Sequence, residues 1–169
     1  MANTALLVID MLNDFILDDA PLQVPGGKDI IPCIAKQIEK AREQGIPILY
    51  PCDAHAEDDA EFKIWPPHAV KGTKGAEVVD ELRPAPSDIV IPKTRYNSFY
   101  KTDLDQRLGS LRVDKLIVTG VVTEICILYT AADAIMRGYE VEVPDGCTMS
   151  LNDEDGRFAL RQIREVLQS

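Results

Sequence analysis

Apolar and polar positions fall into blocks along this chain, and the blocks carry two different periods. Residues 4–9 (TALLVI) form a continuous apolar run that stops at Asp10. A short run with no polar alternation predicts a strand covered on both faces, as in a parallel sheet. Over 30–44 the apolar residues Ile30, Ile31, Ile34, Ile38 and Ala41 recur at helical spacing, and Gly45 ends the pattern. Further strand-like runs stand at 46–50, 88–91, 115–119 and 139–143. Helical patterns stand at 76–82, 104–111, 124–136 and 154–167. Strands alternating with helices predict the α/β class: a three-layer α/β/α, doubly wound parallel sheet of about five strands. The segment 52–73 breaks this order; it is polar, rich in Pro, Asp and His, and too long for an ordinary connection. Long loops in compact domains are usually functional.

Length and composition narrow the picture. The 169 residues suit one domain, 1–169, and leave no room for two full ones. No apolar run approaches the roughly 18 residues of a membrane span, so no membrane partner is expected. The chain enters its first strand without a basic stretch or a cleavage site, which points to a cytoplasmic protein. A net charge of −10 argues against nucleic acid, whose phosphates demand a basic stripe. Cys33, Cys52, Cys126 and Cys147 are widely spaced and form no C-x-x-C pair. Neither a disulfide framework nor a thiolate zinc site is therefore expected.

In an open α/β sheet, ligands bind beyond the carboxyl ends of the strands. Asp10 ends the first strand, Asp53 and His55 follow the second, and Lys93 ends the third. The fourth leads through Gly120-Val121-Val122-Thr123 to Cys126, in the first turn of a helix. Taken singly, these residues read as a helix cap, a solvated lysine and a core cysteine. Together they bring an acid, an ammonium and a thiol to one rim. A thiol at a helix N-terminus is expected to have a lowered pKa, and a nearby ammonium adds to that. Cys126 would be the nucleophile, and Asp10 would take and return its proton.

A second group is Asp53-x-His55 with His68, which uses both histidines of the chain. Two imidazoles and a carboxylate suit one divalent first-row metal ion, and Glu61 could add an oxygen. The same residues could equally be exposed loop groups. Phe15, Trp65 and Tyr96 stand near these positions and could wall a small planar ligand, or simply pack.

The segments LLVIDMLNDF (6–15), CDAH (52–55), WPPHAVKGTKGAE (65–77), IPKTRYNSF (91–99) and GVVTEICILYTAADAIMRGYEV (120–141) together cover much of the chain. In them the chain resembles the isochorismatase-like cysteine hydrolases, and within those the nicotinamidases. By matched position the resemblance implies a catalytic triad of Asp10, Lys93 and Cys126. It implies metal ligands Asp53, His55 and His68, with Glu61 as a fourth, and aromatic contacts to a pyridine ring from Phe15, Trp65 and Tyr96. It implies a cis peptide at Val121–Val122, with the Val122 and Cys126 N–H groups forming an oxyanion hole. The implied activity is hydrolysis of nicotinamide to nicotinate and ammonia through a thioester. The ion, zinc foremost and iron or manganese alternatively, would hold the ring nitrogen.

Three other readings stand beside that one. A related amidase acting on N-carbamoylsarcosine or a ureido acid would keep the triad without requiring the metal set. Isochorismate ether hydrolysis would not use Cys126. A metal-binding scaffold would not catalyse at all. Relatives usually form dimers or tetramers, so the resemblance implies a homodimer or homotetramer acting on a small-molecule amide. Many also carry a sixth strand after the last helix, which this chain lacks, so one sheet edge is expected to be shorter or covered by a partner. Val122 and Ile125 depart from the residues frequent in relatives, and either could reshape the pocket.

Overall fold

The computed structural model describes residues 3–168. Six strands make one parallel sheet: β1 (Thr4–Ile9), β2 (Ile48–Asp53), β3 (Ile89–Lys93), β4 (Lys115–Val121), β5 (Glu140–Glu142) and a two-residue β6 (Thr148–Met149). The order across the sheet is β3-β2-β1-β4-β5, and β6 pairs with the end of β4. Among the described residues five α-helices accompany it: α1 (Asn13–Ile16), α2 (Ile31–Glu43), α3 (Leu104–Ser110), α4 (Leu128–Met136) and α5 (Asp153–Arg161). Among the described residues no helix is long and apolar enough to cross a membrane.

The apolar run of β1 explains the layering. Successive side chains of a strand point to opposite faces. Leu6 and Val8 pack on one face with Ile34, Ile38 and Ala41 of α2. Ala5, Leu7 and Ile9 pack on the other with Leu104 and Leu108 of α3 and Ala131 and Ala134 of α4. A central strand must be apolar on both sides because helices cover both. The sheet grows from β1 toward β3, then returns to place β4 on the other side of β1. The reversal of winding at β1 and β4 opens the crevice in which such folds bind ligands.

The close approach of β1 and β4 depends on Gly120. Its φ is +115°, and a Cβ there would stand 2.0 Å from the Ile9 carbonyl oxygen. Its N–H donates to the Cys147 carbonyl at 2.9 Å, beside β6.

Several expectations shift. The helix expected at 76–82 is absent. Two short 3-10 turns, Lys74–Ala76 and Asp80–Leu82, flank an extended stretch instead. There Asn13 N–H donates to the Glu77 carbonyl and Val79 N–H to that of Met11, at 2.9 Å each. Pairing with a distant segment overrides the local helical spacing. The second strand runs past Tyr50 and includes Asp53. The helix expected from Glu124 opens with a π-helical turn, Thr123–Ile127. Cys33 and Cys147, 114 residues apart, form a disulfide with a Cα–Cα distance of 5.3 Å, against the expectation drawn from their spacing. Sequence separation does not constrain spatial distance once the chain folds back, and here the start of α2 meets the segment leading into β6.

Candidate active site

Asp10 leaves β1 with a positive φ of 54°, a conformation that aspartate tolerates better than most residues. The bend lets its carboxylate reach two neighbours. One oxygen accepts the Asp53 N–H at 2.8 Å, and the other lies 2.8 Å from the Lys93 Nζ. Lys93 ends β3, and its side chain is sealed from water. Its ammonium also donates to Asp53 Oδ1 at 2.5 Å and to the Arg95 carbonyl at 3.2 Å, and reaches Cys126 Sγ at 3.8 Å. Cys126 follows the cis peptide Val121–Val122 and sits in the π-helical turn. The Val122 carbonyl receives the N–H groups of Ile125 and Ile127 at 3.1 and 3.2 Å. The acid, the ammonium and the thiol therefore meet at one point, although they come from three strand ends.

The ionisation of this cluster follows from its burial. Burial, and then the Asp53 charge, raise Asp10 to about 6 in spite of Lys93. Burial acts upward on Asp53 as well, but Lys93 and His55 outweigh it and hold Asp53 below the ordinary value. Burial alone would discharge Lys93; Asp10 and Asp53 reverse this and keep the ammonium. The Cys126 thiol is pushed well up, first by burial and then by Asp10 and Asp53, with Lys93 opposing. This corrects the lowered thiol pKa expected from a helix N-terminus. The turn at Cys126 is π-helical and buried, and desolvation outweighs the dipole. Burial thus favours the thiol over the thiolate, with Lys93 as the opposing charge.

Beside this cluster stand Asp53, His55 and His68, each offering a donor atom within 4.8 Å of the others. His68 Nδ1 lies 2.8 Å from the Pro66 carbonyl, and His55 Nδ1 lies 3.0 Å from Asp59 Oδ2. Each partner is an acceptor, so each ring carries a proton on Nδ1 and turns Nε2 toward the other donors. Burial acts downward on His55, but Asp53 and Asp59 outweigh it and raise it to about 9, so a cation must displace the Nε2 proton to bind there. His55 Nε2 is buried without a hydrogen-bond partner. Glu61 Oε1 lies 3.7 Å from His68 Nε2 and 3.9 Å from His55 Nε2. An orphaned imidazole nitrogen facing a second one and two carboxylates is a donor set that fits a divalent cation. Asp53 belongs to both groups, since its Oδ1 takes Lys93 while its Oδ2 stands 3.6 Å from His55 Nε2.

Both groups open on one cavity of about 340 Å³. Asp10, Asp53, Glu61, His68 and Cys126 line its polar end. Phe15, Trp65 and Tyr96 line it too, with Leu22, Val24, Ile125 and Leu151. Trp65 donates its indole N–H to the Tyr96 hydroxyl at 3.0 Å, which ties the two aromatic residues together. Cys126 keeps 8% of its surface exposed. It is also among the residues that line the cavity, as a sulfur that meets a ligand must be.

Sequence reasoning missed the wall formed by residues 20–24, which has no strand or helix pattern to mark it. It also missed Asp14, Asp59 and Arg95. Asp14 accepts the Ala69 N–H at 2.8 Å and so holds the loop next to His68. Gly75 makes room for it, because a Cβ there would meet the Asp14 carboxylate at 2.1 Å. The partners of Asp14 and Arg95 lie tens of residues away and leave no local signal, while Asp59 meets His55 four residues back with no periodic pattern to mark it.

Comparison with known proteins identifies the fold and the family. The model of the isochorismatase domain matches residues 4–169. The crystal structure of a pyrazinamidase/nicotinamidase from Streptococcus mutans superposes with a TM-score of 0.93 at 37% identity, covering 98% of each chain. That of an N-carbamoylsarcosine amidase from Thermoplasma acidophilum superposes at 0.88 with 35% identity, over 95% of this chain and 92% of the other. A pyrazinamidase of Pyrococcus horikoshii in complex with zinc superposes at 0.91 with 33% identity, over 96% and 94%. Among relatives by sequence, a probable inactive nicotinamidase from Arabidopsis thaliana is 40% identical, over 81% of this chain and 75% of its own.

Proposed function

The chain belongs to the isochorismatase-domain family and is a hydrolase of amide carbon–nitrogen bonds; within that class we propose that it hydrolyses nicotinamide to nicotinate and ammonia, with Cys126 as nucleophile. The observation that carries this reading is Cys126 lining the same cavity as Asp10, with its sulfur 3.8 Å from a Lys93 Nζ that itself lies 2.8 Å from Asp10.

The mechanism follows from the resting protonation states. Asp10 takes the thiol proton as Sγ attacks the carboxamide carbon. The Val122 and Cys126 N–H groups receive the developing oxyanion, a service typically worth about 3–4 kcal/mol per donor. The tetrahedral adduct collapses as Asp10 passes its proton to the amide nitrogen, and ammonia departs. The resulting thioester is hydrolysed by a water that Asp10 deprotonates. The carbon–sulfur bond breaks, and the sulfur recovers its proton. Lys93 keeps its charge throughout, offsetting the negative charge that moves between Asp10 and the sulfur.

Asp53, His55, His68 and Glu61 would hold a divalent cation, zinc foremost by the preference of a mixed nitrogen and oxygen set. When bound, that ion supplies a Lewis-acid anchor for a ring nitrogen. Phe15, Trp65 and Tyr96 would flank the ring and orient the amide.

A related amidase of N-carbamoylsarcosine is the second reading, and the identities to the two enzyme types are nearly equal, 37% against 35%. The cavity favours the neutral ring. Among the described residues lining it there is no lysine or arginine, whereas three are carboxylates, Asp10, Asp53 and Glu61. A carboxylate-bearing substrate would enter with no side-chain counter-charge.

Ammonia release from nicotinamide, pyrazinamide and N-carbamoylsarcosine, by native protein and by Cys126→Ala, tests both points. Nicotinamide is expected to be cleaved fastest, and Cys126→Ala to lose on the order of 10⁴-fold or more. Activity that survives in Cys126→Ala would remove the nucleophile. Preference for N-carbamoylsarcosine would replace the substrate, and release from no amide would leave a scaffold.

A further inference from the structure

The two histidines of the metal set are oriented by different means. His68 gives its Nδ1 proton to the main-chain carbonyl of Pro66, which no side-chain substitution removes. His55 gives its own to Asp59 Oδ2 at 3.0 Å, and Asp59 plays no part in the ligand set. The His55 ring is wholly buried, and the Asp59 side chain is 9% exposed. A carboxylate behind an imidazole fixes the tautomer, sets the ring plane and makes the far nitrogen a stronger donor. Here the far nitrogen is the buried, unpartnered His55 Nε2.

Asp59 is itself held from two sides. Its Oδ1 accepts the Glu61 N–H at 2.9 Å, which caps the 3-10 turn Ala60–Lys63 and places Glu61. Arg95 Nη1 lies 3.0 and 3.2 Å from its two oxygens. The carbonyl of the same Arg95 accepts from Lys93 Nζ at 3.2 Å. One residue thus contacts the ammonium of the triad through its main chain and the support of the metal set through its side chain.

We propose that Asp59, clamped by Arg95, is a positioning residue that aims His55 at the cation and makes the site bind it tightly. The inference rests on the metal-set reading above. It goes further by assigning that affinity in part to a residue that touches neither ion nor substrate.

Zinc affinity is the readout, measured on the chelator-stripped full-length protein by competition with a chromophoric chelator. Asp59→Ser keeps a good capping side chain but is too short to reach His55. It is expected to weaken zinc binding about 10- to 100-fold while the metal-free melting curve stays near that of the native protein. Asp59→Asn keeps one acceptor oxygen, which can take either the Glu61 N–H or the His55 Nδ1–H but not both in this geometry, so it is expected to recover only part of the loss. Arg95→Gln frees the Asp59 carboxylate without removing it and should lie between native and Asp59→Ser. Zinc affinity of both Asp59 variants within threefold of native would overturn the proposal. If Asp59→Ser does not fold, Asp59→Asn and Arg95→Gln decide alone, and native-like affinity in both would overturn it. Failure of the native protein itself to take up zinc or another divalent ion would overturn the metal-set reading, and this inference with it.

Discussion

Lys93 lies between two carboxylates, with Asp10 at 2.8 Å and Asp53 at 2.5 Å, and no part of its side chain meets water. A buried charge of this kind is stable only while its partners stay. Replacing it by an apolar residue of similar length leaves two carboxylates facing each other in a dry interior. Lys93→Met is therefore expected to cost about 3–5 kcal/mol of stability, read from urea unfolding, besides abolishing ammonia release. A loss under about 1 kcal/mol would mean that Asp10 takes up a proton, or water enters, at little cost. The nucleophile behaves differently from its sequence-level expectation for the same reason. Position in a helical first turn suggests a thiolate, but burial raises the Cys126 thiol. Asp10, itself raised to about 6, must then act as a base in the attack and as an acid in the release of ammonia.

At the scale of elements, the site is only as precise as the strands that end at it. β1 and β4 run side by side for six registered residue pairs, ending with Ile9 opposite Gly120. Asp10 and the nucleophile turn are the next groups beyond that end. α2 presses on the opposite face of β1 through Ile34, Ile38 and Ala41, all buried. Ile34 is fully buried. Ile34→Ala should lower stability by about 2–5 kcal/mol in urea melts, from lost apolar burial plus the cavity left behind. Because α2 lies away from the catalytic rim, turnover by the folded fraction should change little. A loss of turnover larger than the loss of folded protein would show that β1 shifts when its backing is thinned. The helix patterns at 30–44 and 104–111 are realised within a residue or so. The pattern at 76–82 is not, because the Glu77 carbonyl accepts from Asn13 and the Val79 N–H donates to Met11.

For the whole molecule, the two functional groups are linked through Asp53, which serves Lys93 with one oxygen and faces His55 with the other. A cation that binds only the folded chain must then stabilise the fold as a whole. Zinc at about 100 times its dissociation constant should add about 2.7 kcal/mol to unfolding free energy. The midpoint should fall back on adding a chelator. Denaturation curves that coincide with and without metal would contradict a site built into the native state. The Cys33–Cys147 bridge is a second long-range constraint. It anchors the start of α2 to the segment whose Cys147 carbonyl holds Gly120 of β4.

By itself the sequence determined the layered α/β plan, since runs such as 4–9 and the spacing of Ile34, Ile38 and Ala41 encode which faces must leave water. It also determined the identities of Asp10, Lys93, Cys126, Asp53, His55, His68 and Glu61 as candidates, because each follows a strand end or lies in the long loop. Only the tertiary structure decided that these form two groups sharing one carboxylate. Tertiary structure alone also decided that burial raises the Cys126 thiol, that Cys33 finds Cys147, and that Asp59 and Arg95 stand behind His55. Periodicity reports on one element at a time. Charge coupling, desolvation and distances between remote segments exist only once those elements are packed.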